Sequence, residues 1–416
     1  MEKLIHLRYL DASGRIWSSA KDVQSACKLY NLQTLYLSDS KLKEIPRGIK
    51  NLTQLRYLVL SYNKLKEIAR EIGYLIRLTH LDLTWNTDIV ELPETICNLC
   101  DLEILNLNYC YGLVRLPEWI KGLVNLRHLY NIECTVLHQI PQGIGKLTAL
   151  RTLNRFHAGN DSSKLGYLKE LDQLSGSMVL NINLHDRADV DEAWKAKLMN
   201  KIHIKDLDIC FTHDDMGRTQ EGELLRNEAL EALQPPRTLH SLSISNHNGT
   251  KFPNWMISSY LNHLRDLHIT RCDILTLPCL GRLPELSVSY MTRLSFVGRE
   301  FLGLIGDNDT DIATRVLMIS FPKLKVLRFE MCLWWTEWED ITAGEESNAS
   351  VSIMPCLREL DFTNCGLREL PHRLIRKASS LQHLSIHHSF HLLERYEEEG
   401  SAARSLFSHI PRVTVV

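Results

Sequence analysis

The chain has 416 residues, of which 44% are hydrophobic and 24% are charged, and its formal net charge is −2. That apolar content is enough for a continuous core, and the near-neutral charge excludes the overall basic field typical of nucleic-acid-binding domains. No stretch approaches the roughly 18 apolar residues of a membrane span, and the N-terminal residues lack an apolar run of signal-peptide length. The eleven cysteines form no paired framework, which suits a reducing compartment. We therefore predict a cytoplasmic location.

From the N-terminus onwards, one short pattern recurs. The stretch LTHLDLTWNTDIVELPETICNL occupies residues 78–99, and related stretches begin 23 residues before it and 24 residues after it. A fixed period of this length indicates stacked structural units rather than separate globular domains. The regular units begin at the following residues: Leu32, Leu55, Leu78, Leu102, Leu126 and Leu150.

Each unit predicts a short strand followed by a turn and a helical crossing. The spacing L-x-x-L-x-L places leucines on one face of a strand, because strand side chains alternate between faces. A small polar or thiol side chain follows, which can satisfy backbone groups where the chain turns: Asn63, Asn86, Cys110, Cys134, Cys272, Cys332 and Cys365. A proline such as Pro46 or Pro93 then ends strand pairing. The spacing I-x-x-L that comes next indicates a short helical turn.

The spacing of the repeat pattern changes along the chain. It fails at Asn154, and VDEAWKAKLMNK within the following segment predicts a helix. The pattern returns with longer insertions at these residues: Ile204, Leu239, Leu264, Leu324, Leu357 and Leu381. We therefore predict regular repeats over 1–153, an irregular insertion over 154–203, and irregular repeats with a C-terminal cap over 204–416. The stretch LPELSVSYM is about three residues shorter than the pattern expected around Leu286, which leaves two interpretations open, a truncated strand or an error in the gene prediction.

This residue pattern is typical of leucine-rich repeats. The predicted fold class is α/β: a leucine-rich-repeat solenoid, or horseshoe, with a parallel β-sheet on its concave face and short helices and loops on its convex face.

The sequence of the second half of the chain contains further blocks that indicate a particular group of leucine-rich-repeat proteins. The blocks LKELDQLSGSMVLNI, EALEALQPPRTLHSLSI, GTKFPNWM, LPCLGRLPEL and FPKLKVLRFEMCLWWTEWE occur in this order. The succession resembles the C-terminal leucine-rich-repeat region of plant coiled-coil nucleotide-binding (NLR) disease resistance proteins of the resistance-gene-analogue type, and the resemblance covers essentially the whole chain. Those receptors carry a nucleotide-binding switch upstream, whereas the phosphate-binding motif G-x-x-x-x-G-K-[ST] is absent from this sequence.

Three groups of residues imitate metal sites, and in each case the structural explanation is the stronger one. Cys97 and Cys100 lack a second ligand pair at finger spacing, so packing beside apolar positions is favoured. The acidic run that starts at Asp307 lacks the glycine and closing glutamate of a calcium loop. His383 and His387 share one strand face, where a polar surface explains them as well as a metal does. With no catalytic motif in the chain, we predict no enzyme activity, no metal and no cofactor.

The exposed strand positions form the candidate partner-binding face. An aromatic series along a sheet face favours contact with protein, although neighbouring rings can also simply pack on one another across strands. The predicted partner-binding residues are Tyr36, Tyr57, Tyr62, Trp85, Tyr109, Arg265, His268, Arg271, Arg328, Glu330, Arg358, Asp361, His383 and His387. The three tryptophans Trp334, Trp335 and Trp338 are instead predicted to cap an edge of the core.

Charge and resemblance together lead to a functional hypothesis. Residues 1–80 contain fourteen Lys and Arg against seven Asp and Glu. The resemblance implies that basic repeats dock on a nucleotide-binding switch domain and hold it inactive, through residues including Lys41, Lys43, Lys64 and Lys66. It also implies that the concave face binds a pathogen effector or a guarded host protein. Two alternatives stay open: a free-standing adaptor or decoy without a switch, and a secreted inhibitor or receptor ectodomain.

Overall fold

The computed structural model describes the whole chain except residues 1–3, 16–19, 160–162, 213–218, 258–259, 278–279, 281–282, 304–317 and 398–405. It divides into two compact units, Met1–Lys205 and Asp206–Val416. Both are stacks of short parallel strands joined by helical or irregular crossings, so the α/β solenoid is confirmed.

The first unit is built on a seven-stranded parallel sheet whose strands follow chain order. Equivalent leucines stand in register, Leu35 beside Leu58 and Leu58 beside Leu81, and all three are fully buried. Full burial of such a side chain contributes about 1.5–3 kcal/mol. The strands are β1 (Tyr9–Asp11), β2 (Thr34–Tyr36), β3 (Tyr57–Val59), β4 (His80–Asp82), β5 (Ile104–Asn106), β6 (His128–Tyr130) and β7 (Thr152–Leu153).

The predicted helical crossings are short 3₁₀ helices, preceded by helix α1 (Ala20–Ala26). Pro46, Pro93 and Pro141 each stand directly before one of them, with φ between −67° and −71°. Ala69 takes the equivalent place with φ −57°, so the crossing geometry does not depend on proline. The 3₁₀ helices are Arg47–Asn51, Arg70–Tyr74, Glu94–Asn98, Ile120–Gly122 and Gln142–Lys146.

The predicted polar ladder is confirmed. Asn63 Oδ1 accepts hydrogen bonds from the amides of Ser40 and Leu42, both at 3.0 Å, while its Nδ2 donates to the carbonyls of Leu37 and Leu60. A cysteine in this position uses its thiol as the donor, as in the 3.0 Å contact from Cys134 Sγ to the Leu107 carbonyl. Burial raises the pKa of Cys134 to about 11, which keeps the thiol protonated.

Residues 154–203, predicted as an irregular insertion, contain further strands and helices. Strand β8 (Arg155–Ala158) pairs in parallel with β9 (Ser175–Ile182). Asp186 caps helix α2 (Arg187–Lys195) by accepting hydrogen bonds from the amides of Ala188 and Asp189. Two 3₁₀ helices complete the segment, Leu165–Leu168 and Leu198–Asn200. The predicted helix in this segment is thus present, while the three domain ranges stay a prediction.

The second unit repeats the strand-and-crossing plan with longer connections. Strand β10 (His203–Phe211) is followed by parallel neighbours in chain order, and two short two-stranded sheets lie outside this series. The further strands of the main sheet are β11 (Ser241–Ser245), β12 (Asp266–Thr270), β13 (Glu285–Ser289), β16 (Val326–Glu330), β19 (Glu359–Thr363), β20 (His383–His387) and β21 (Arg412–Val415). One two-stranded sheet consists of β14 (Phe296–Val297) and β17 (Glu337–Trp338), and the other consists of β15 (Met318–Ser320) and β18 (Val351–Ile353).

The helices of the second unit belong to the connections between these strands. They are α3 (Gln220–Ala232), α4 (Asn254–Ile257), the 3₁₀ helix Arg299–Leu302, α5 (Ala343–Ser347), α6 (His372–Lys377) and α7 (Phe390–Tyr396).

Two interpretations of the sequence are wrong in this unit. Strand β13 is not truncated, because its five residues pair fully with β12 and β16 and bring Leu286 into register with Leu267. The shortening falls in the connection before it. Trp335 and Trp338 are buried beside Phe329, as a core edge requires, but Trp334 is 68% exposed and caps nothing.

Candidate protein-binding surface

Three aromatic side chains stack along the first unit. Tyr62 and Trp85 have ring centroids 5.9 Å apart and planes inclined by 17°, and Trp85 and Tyr109 have centroids 4.7 Å apart and planes inclined by 13°. Tyr111 meets Trp85 edge-on at 5.8 Å. We call the stacked residues Tyr62, Trp85 and Tyr109 the ring ladder.

The backbone of the ring ladder is left-handed. Tyr62, Trp85 and Tyr109 have φ of 56°, 59° and 60°, and each stands immediately before an Asn or Cys of the polar ladder. The equivalent residues Asp39 and Glu133 are left-handed too, so the repeat itself imposes this conformation. It allows each amide to donate to a carbonyl of the next repeat, as Tyr62 N does to Thr84 O at 2.8 Å.

Aromatic residues at these positions contribute little net folding free energy. A left-handed conformation costs a bulky residue about 1–2 kcal/mol, which glycine avoids and asparagine reduces. Mutual stacking returns a comparable amount, about 0.5–1.5 kcal/mol per pair. Tyr62 nevertheless keeps 57% of its surface exposed. Left-handed aromatic residues in consecutive repeats, of which Tyr62 is exposed and Trp85 and Tyr109 are partly exposed, are the pattern from which a functional hypothesis follows.

The prediction that the whole aromatic series lies on strands is correct only in part. Tyr36 and Tyr57 are strand residues, of β2 and β3, whereas the ring ladder lies in the turns after β3, β4 and β5. Other pairs pack beside it: Tyr57 stacks on His80 at 5.6 Å, and Tyr9 approaches Tyr36 at 5.8 Å. Packing between rings, the alternative explanation, is therefore present, and it leaves the outer surfaces of several rings exposed.

In the second unit, the predicted residues divide between the strands and their ends. His268, Arg328, Glu330, Asp361, His383 and His387 lie on strands of the sheet. Arg265 and Arg358 directly precede β12 and β19, and Arg271 follows β12 with φ 53°, so these three are not strand residues.

Several charged groups among the predicted partner-binding residues of the second unit already have partners within the chain. Arg328 Nε lies 3.1 Å from Asp361 Oδ2, and Arg328 Nη2 lies 3.0 Å from Glu359 Oε2. The guanidinium of Arg271 lies 5.2 Å from the ring centroid of Tyr290. Such groups must give up existing partners before they can bind another protein.

The four candidate docking lysines follow the turns of two repeats, and Lys64 stands two residues after Tyr62 of the ring ladder. Lys41, Lys43, Lys64 and Lys66 are all exposed, in the segments that lead from a strand to the following 3₁₀ helix. Within the described part of the chain, none of them has an acidic partner within salt-bridge distance. Their charges are therefore available to an acidic surface.

A groove beside these lysines was not predicted from the sequence. It has a volume of about 1150 Å³ and runs across several repeats of the first unit. Its charged lining comprises six glutamates and three arginines: Glu44, Glu67, Glu71, Glu91, Glu94, Glu118, Arg47, Arg70 and Arg115. The signal was available, since Glu44, Glu67 and Glu91 recur at the repeat spacing, each three residues before the start of a 3₁₀ helix.

The residues that imitate metal sites in the sequence are placed as follows in the structure. Cys97 is buried but Cys100 is exposed, so the predicted packing fits only the first. The acidic run at Asp307, Asp309 and Asp311 lies outside the described residues. Among the residues that are described, no three His, Cys, Asp or Glu side chains are grouped so that they could hold a metal ion. The helices described are also too short or too polar to cross a membrane.

Comparison with known proteins identifies the repeat. A family profile described as leucine-rich repeat region matches residues 63–385, and a second, described as leucine rich repeat, matches residues 30–87. The chain belongs to the leucine-rich repeat family. A leucine-rich-repeat protein of Leptospira interrogans has the same fold, with a TM-score of 0.55 and 18% identity over 99% of this chain and 97% of that one.

Two plant relatives confirm the resemblance to the leucine-rich-repeat region of resistance proteins. A protein of Arabidopsis thaliana whose name assigns it to disease resistance is 32% identical over 81% of this chain. A protein of Solanum bulbocastanum named RGA4, assigned to disease resistance in the same way, is 32% identical over 57% of this chain. Each alignment covers 22% of the relative, so the chain spans about a fifth of the length of these proteins.

Proposed function

We propose that this chain is a protein-recognition module in plant disease resistance, and that the ring ladder is the centre of its binding surface. The observation that carries the proposal is the stacking of Tyr62, Trp85 and Tyr109, which holds three aromatic side chains rigid and partly exposed at left-handed positions. Rigid aromatic residues lose little conformational entropy on binding and are enriched among the residues that dominate interface energies.

The partner we propose is a pathogen effector or a guarded host protein. This part of the proposal rests on the similarity to proteins named for disease resistance. Recognition of such a partner takes place in the cytoplasm, as the resemblance implies. We propose that the partner is bound non-covalently and that binding requires no catalysis by this chain.

The second part of the proposal concerns autoinhibition. Lys41, Lys43, Lys64 and Lys66 dock on an acidic surface of a nucleotide-binding switch domain and hold it in its inactive state. Their exposure and the absence of acidic partners among the described residues support this role. For binding of a ligand to release the switch, the ligand must bind the undocked state more tightly than the docked one.

Photo-crosslinking tests the binding surface. A benzophenone amino acid is placed at Tyr62 in one chain and at Tyr74 in another, because Tyr74 is equally exposed but lies on a 3₁₀ helix. After irradiation in leaf cells, we expect a discrete crosslinked protein from position 62 and none from position 74. The same crosslinked species from both positions, or from neither, would show that the ring ladder is not the binding surface.

Charge reversal tests the docking surface separately. All four lysines are changed to Glu, and the control variant reverses four other lysines of the first unit that are also exposed, Lys50, Lys121, Lys146 and Lys164. A nucleotide-binding domain of a resistance-gene-analogue receptor is supplied as a separate chain. We expect co-precipitation to be lost in the first variant and kept in the second. Co-precipitation that is unchanged by the first reversal would remove the docking role.

A further inference from the structure

The exposed side of the strands and turns that carry the ring ladder has no Lys or Arg. In the six repeats that contain β1 to β6, four positions per repeat face the exposed side of the sheet: the first and third strand residues and the two residues at the following turn. We call these 24 residues the face positions: 9, 11, 13, 14, 34, 36, 38, 39, 57, 59, 61, 62, 80, 82, 84, 85, 104, 106, 108, 109, 128, 130, 132 and 133. None of them is Lys or Arg.

This absence runs against the composition of the same segment. Residues 1–80 alone contain fourteen Lys and Arg, and all of them avoid the face positions. Two histidines do occupy face positions, His80 and His128, but burial lowers the pKa of each below its usual value. Both imidazoles are therefore neutral at pH 7, and they add no positive charge to the surface.

The charges that do occur on the face positions are all negative. They are Asp11, Asp39, Asp82 and Glu133. Two of them, Asp39 and Glu133, stand in the same row as the ring ladder, so the row reads acid, ring, ring, ring, acid. Asp39 is exposed and has no cationic partner among the described residues, while Glu133 lies 3.5 Å from Arg155 Nη2. One end of the row thus offers a fully available carboxylate.

We propose that the ring ladder binds a partner segment that presents arginine. This inference rests on the proposed function, since it names the chemistry of the partner at the same surface. A guanidinium group is planar, so it can stack on the outer face of Tyr62, whose other face is covered by Trp85, and also form paired hydrogen bonds with the carboxylate of Asp39. Lysine provides the charge without the planar stacking, and an acidic segment is repelled by all four carboxylates.

The dimensions set the length of the segment. Asp39 and Glu133 are four repeats apart, which is about 19 Å at the usual spacing of paired strands, ~4.8 Å. An extended chain covers that distance with about six residues. A segment of this length spans the row and places one arginine between the outer face of Tyr62 and the carboxylate of Asp39.

Selection from a random library of displayed dodecapeptides tests the proposal, because it reports the preferred chemistry of a bound segment whatever the natural partner is. The baits are the wild-type chain, a ladder variant (Tyr62→Ser, Trp85→Ser, Tyr109→Ser) and an off-face variant (Tyr30→Ser, Tyr74→Ser, Trp119→Ser). The off-face variant removes two tyrosines and one tryptophan that are also exposed. It therefore controls for the general loss of aromatic surface.

We expect wild type and the off-face variant to enrich the same arginine-containing peptides, and the ladder variant to lose them. For a selected peptide, replacement of its arginines by citrulline, which is planar but neutral, weakens binding about fivefold or more, and replacement by lysine weakens it less. Asp39→Asn in the chain weakens binding of the arginine peptide about threefold and leaves the citrulline peptide unchanged.

The outcomes separate this inference from the proposed function. Peptides that depend on the ring ladder but contain no excess of arginine would overturn the inference and leave the ladder as a protein-binding surface. Peptides that bind the ladder variant as well as wild type, or no enrichment on any bait, would overturn both.

Discussion

Trp85 lies between two tyrosines, and its ring stacks on that of Tyr109 with centroids 4.7 Å apart. The contact joins side chains of adjacent repeats whose backbones are both left-handed, with φ of 59° and 60°. The solenoid thus fixes the spacing of the rings through its backbone, and the rings keep their orientation through one another. Under the proposed function, a partner would meet a preformed surface, which reduces the entropy lost on binding.

The substitution Trp85→Asn separates stability from binding. Asparagine tolerates the left-handed conformation, so relief of strain offsets the lost stacking, and we expect the free energy of unfolding to change by less than about 1 kcal/mol. Binding of a ladder-dependent peptide falls sharply. Urea unfolding and peptide titration measure the two effects, and a large loss of stability with intact binding would contradict the assignment.

Asn63 is predicted to be essential for the stability of the stacked repeats. Asn63→Ala leaves the amides of Ser40 and Leu42 and the carbonyls of Leu37 and Leu60 without these partners in a buried site. Because each buried, unsatisfied group costs about 1–3 kcal/mol, we expect a loss of at least ~3 kcal/mol in urea unfolding.

Asn98→Ala is the control for this loss, since Asn98 is exposed on a 3₁₀ helix. We expect it to change stability by less than about 0.5 kcal/mol. Equal effects of the two substitutions would show that the polar ladder does not stabilise the stack.

Gly366 tolerates no side chain. A Cβ at this position would lie 2.1 Å from the Leu333 carbonyl oxygen, whereas a Cβ at Gly344, in α5, meets nothing closer than 3.9 Å. We expect Gly366→Ala to destabilise the second unit by about 3 kcal/mol and Gly344→Ala to leave it unchanged or slightly more stable. Thermal unfolding of both variants checks this, and a stable Gly366→Ala variant would rule out the close approach.

Stability is predicted to fall in mild acid because of His247. Burial, and then the charge of Arg226, lower the pKa of His247 to about 3 in the folded chain, compared with about 6.5 when unfolded. Between these values the unfolded state binds a proton that the folded state does not. The free energy of unfolding therefore decreases as pH falls from about 6.5, by up to about 1.4 kcal/mol per pH unit.

The variant His247→Leu isolates this contribution. Leucine has a similar volume and no titrating group, so the variant should lose less stability than wild type between pH 7 and pH 5. Urea unfolding at both values measures the difference. Identical losses in the two proteins would mean that other groups cause the acid sensitivity.

The sequence predicts the repeat well because each prediction rests on a local pattern. The leucines, the ladder residues and the I-x-x-L crossings are all where their spacing places them. The interpretation of a truncated strand at Leu286 is wrong because the register depends on neighbouring strands, which hold β13 in place despite the short connection. The prediction for Trp334 is wrong because adjacent aromatic residues look alike in sequence, while only Trp335 of the two points into the core.

The candidate site was predictable only in its residue types. An aromatic series at the repeat spacing is visible in the sequence, but the left-handed turn that carries Trp85 and the stacking distances are not. The pairing of Arg328 with Asp361 was also hidden, because the two residues come together only through the register of β16 and β19.

The central claim is that the ring ladder binds a protein, and the most direct measurement is a comparison of dissociation constants. The partner crosslinked at position 62 is titrated calorimetrically into wild type, the ladder variant and the off-face variant. We predict that the ladder variant binds at least about thirtyfold more weakly, as expected for residues that dominate an interface, and that the off-face variant binds within about twofold of wild type. Equal affinity of the ladder variant and wild type would contradict the claim.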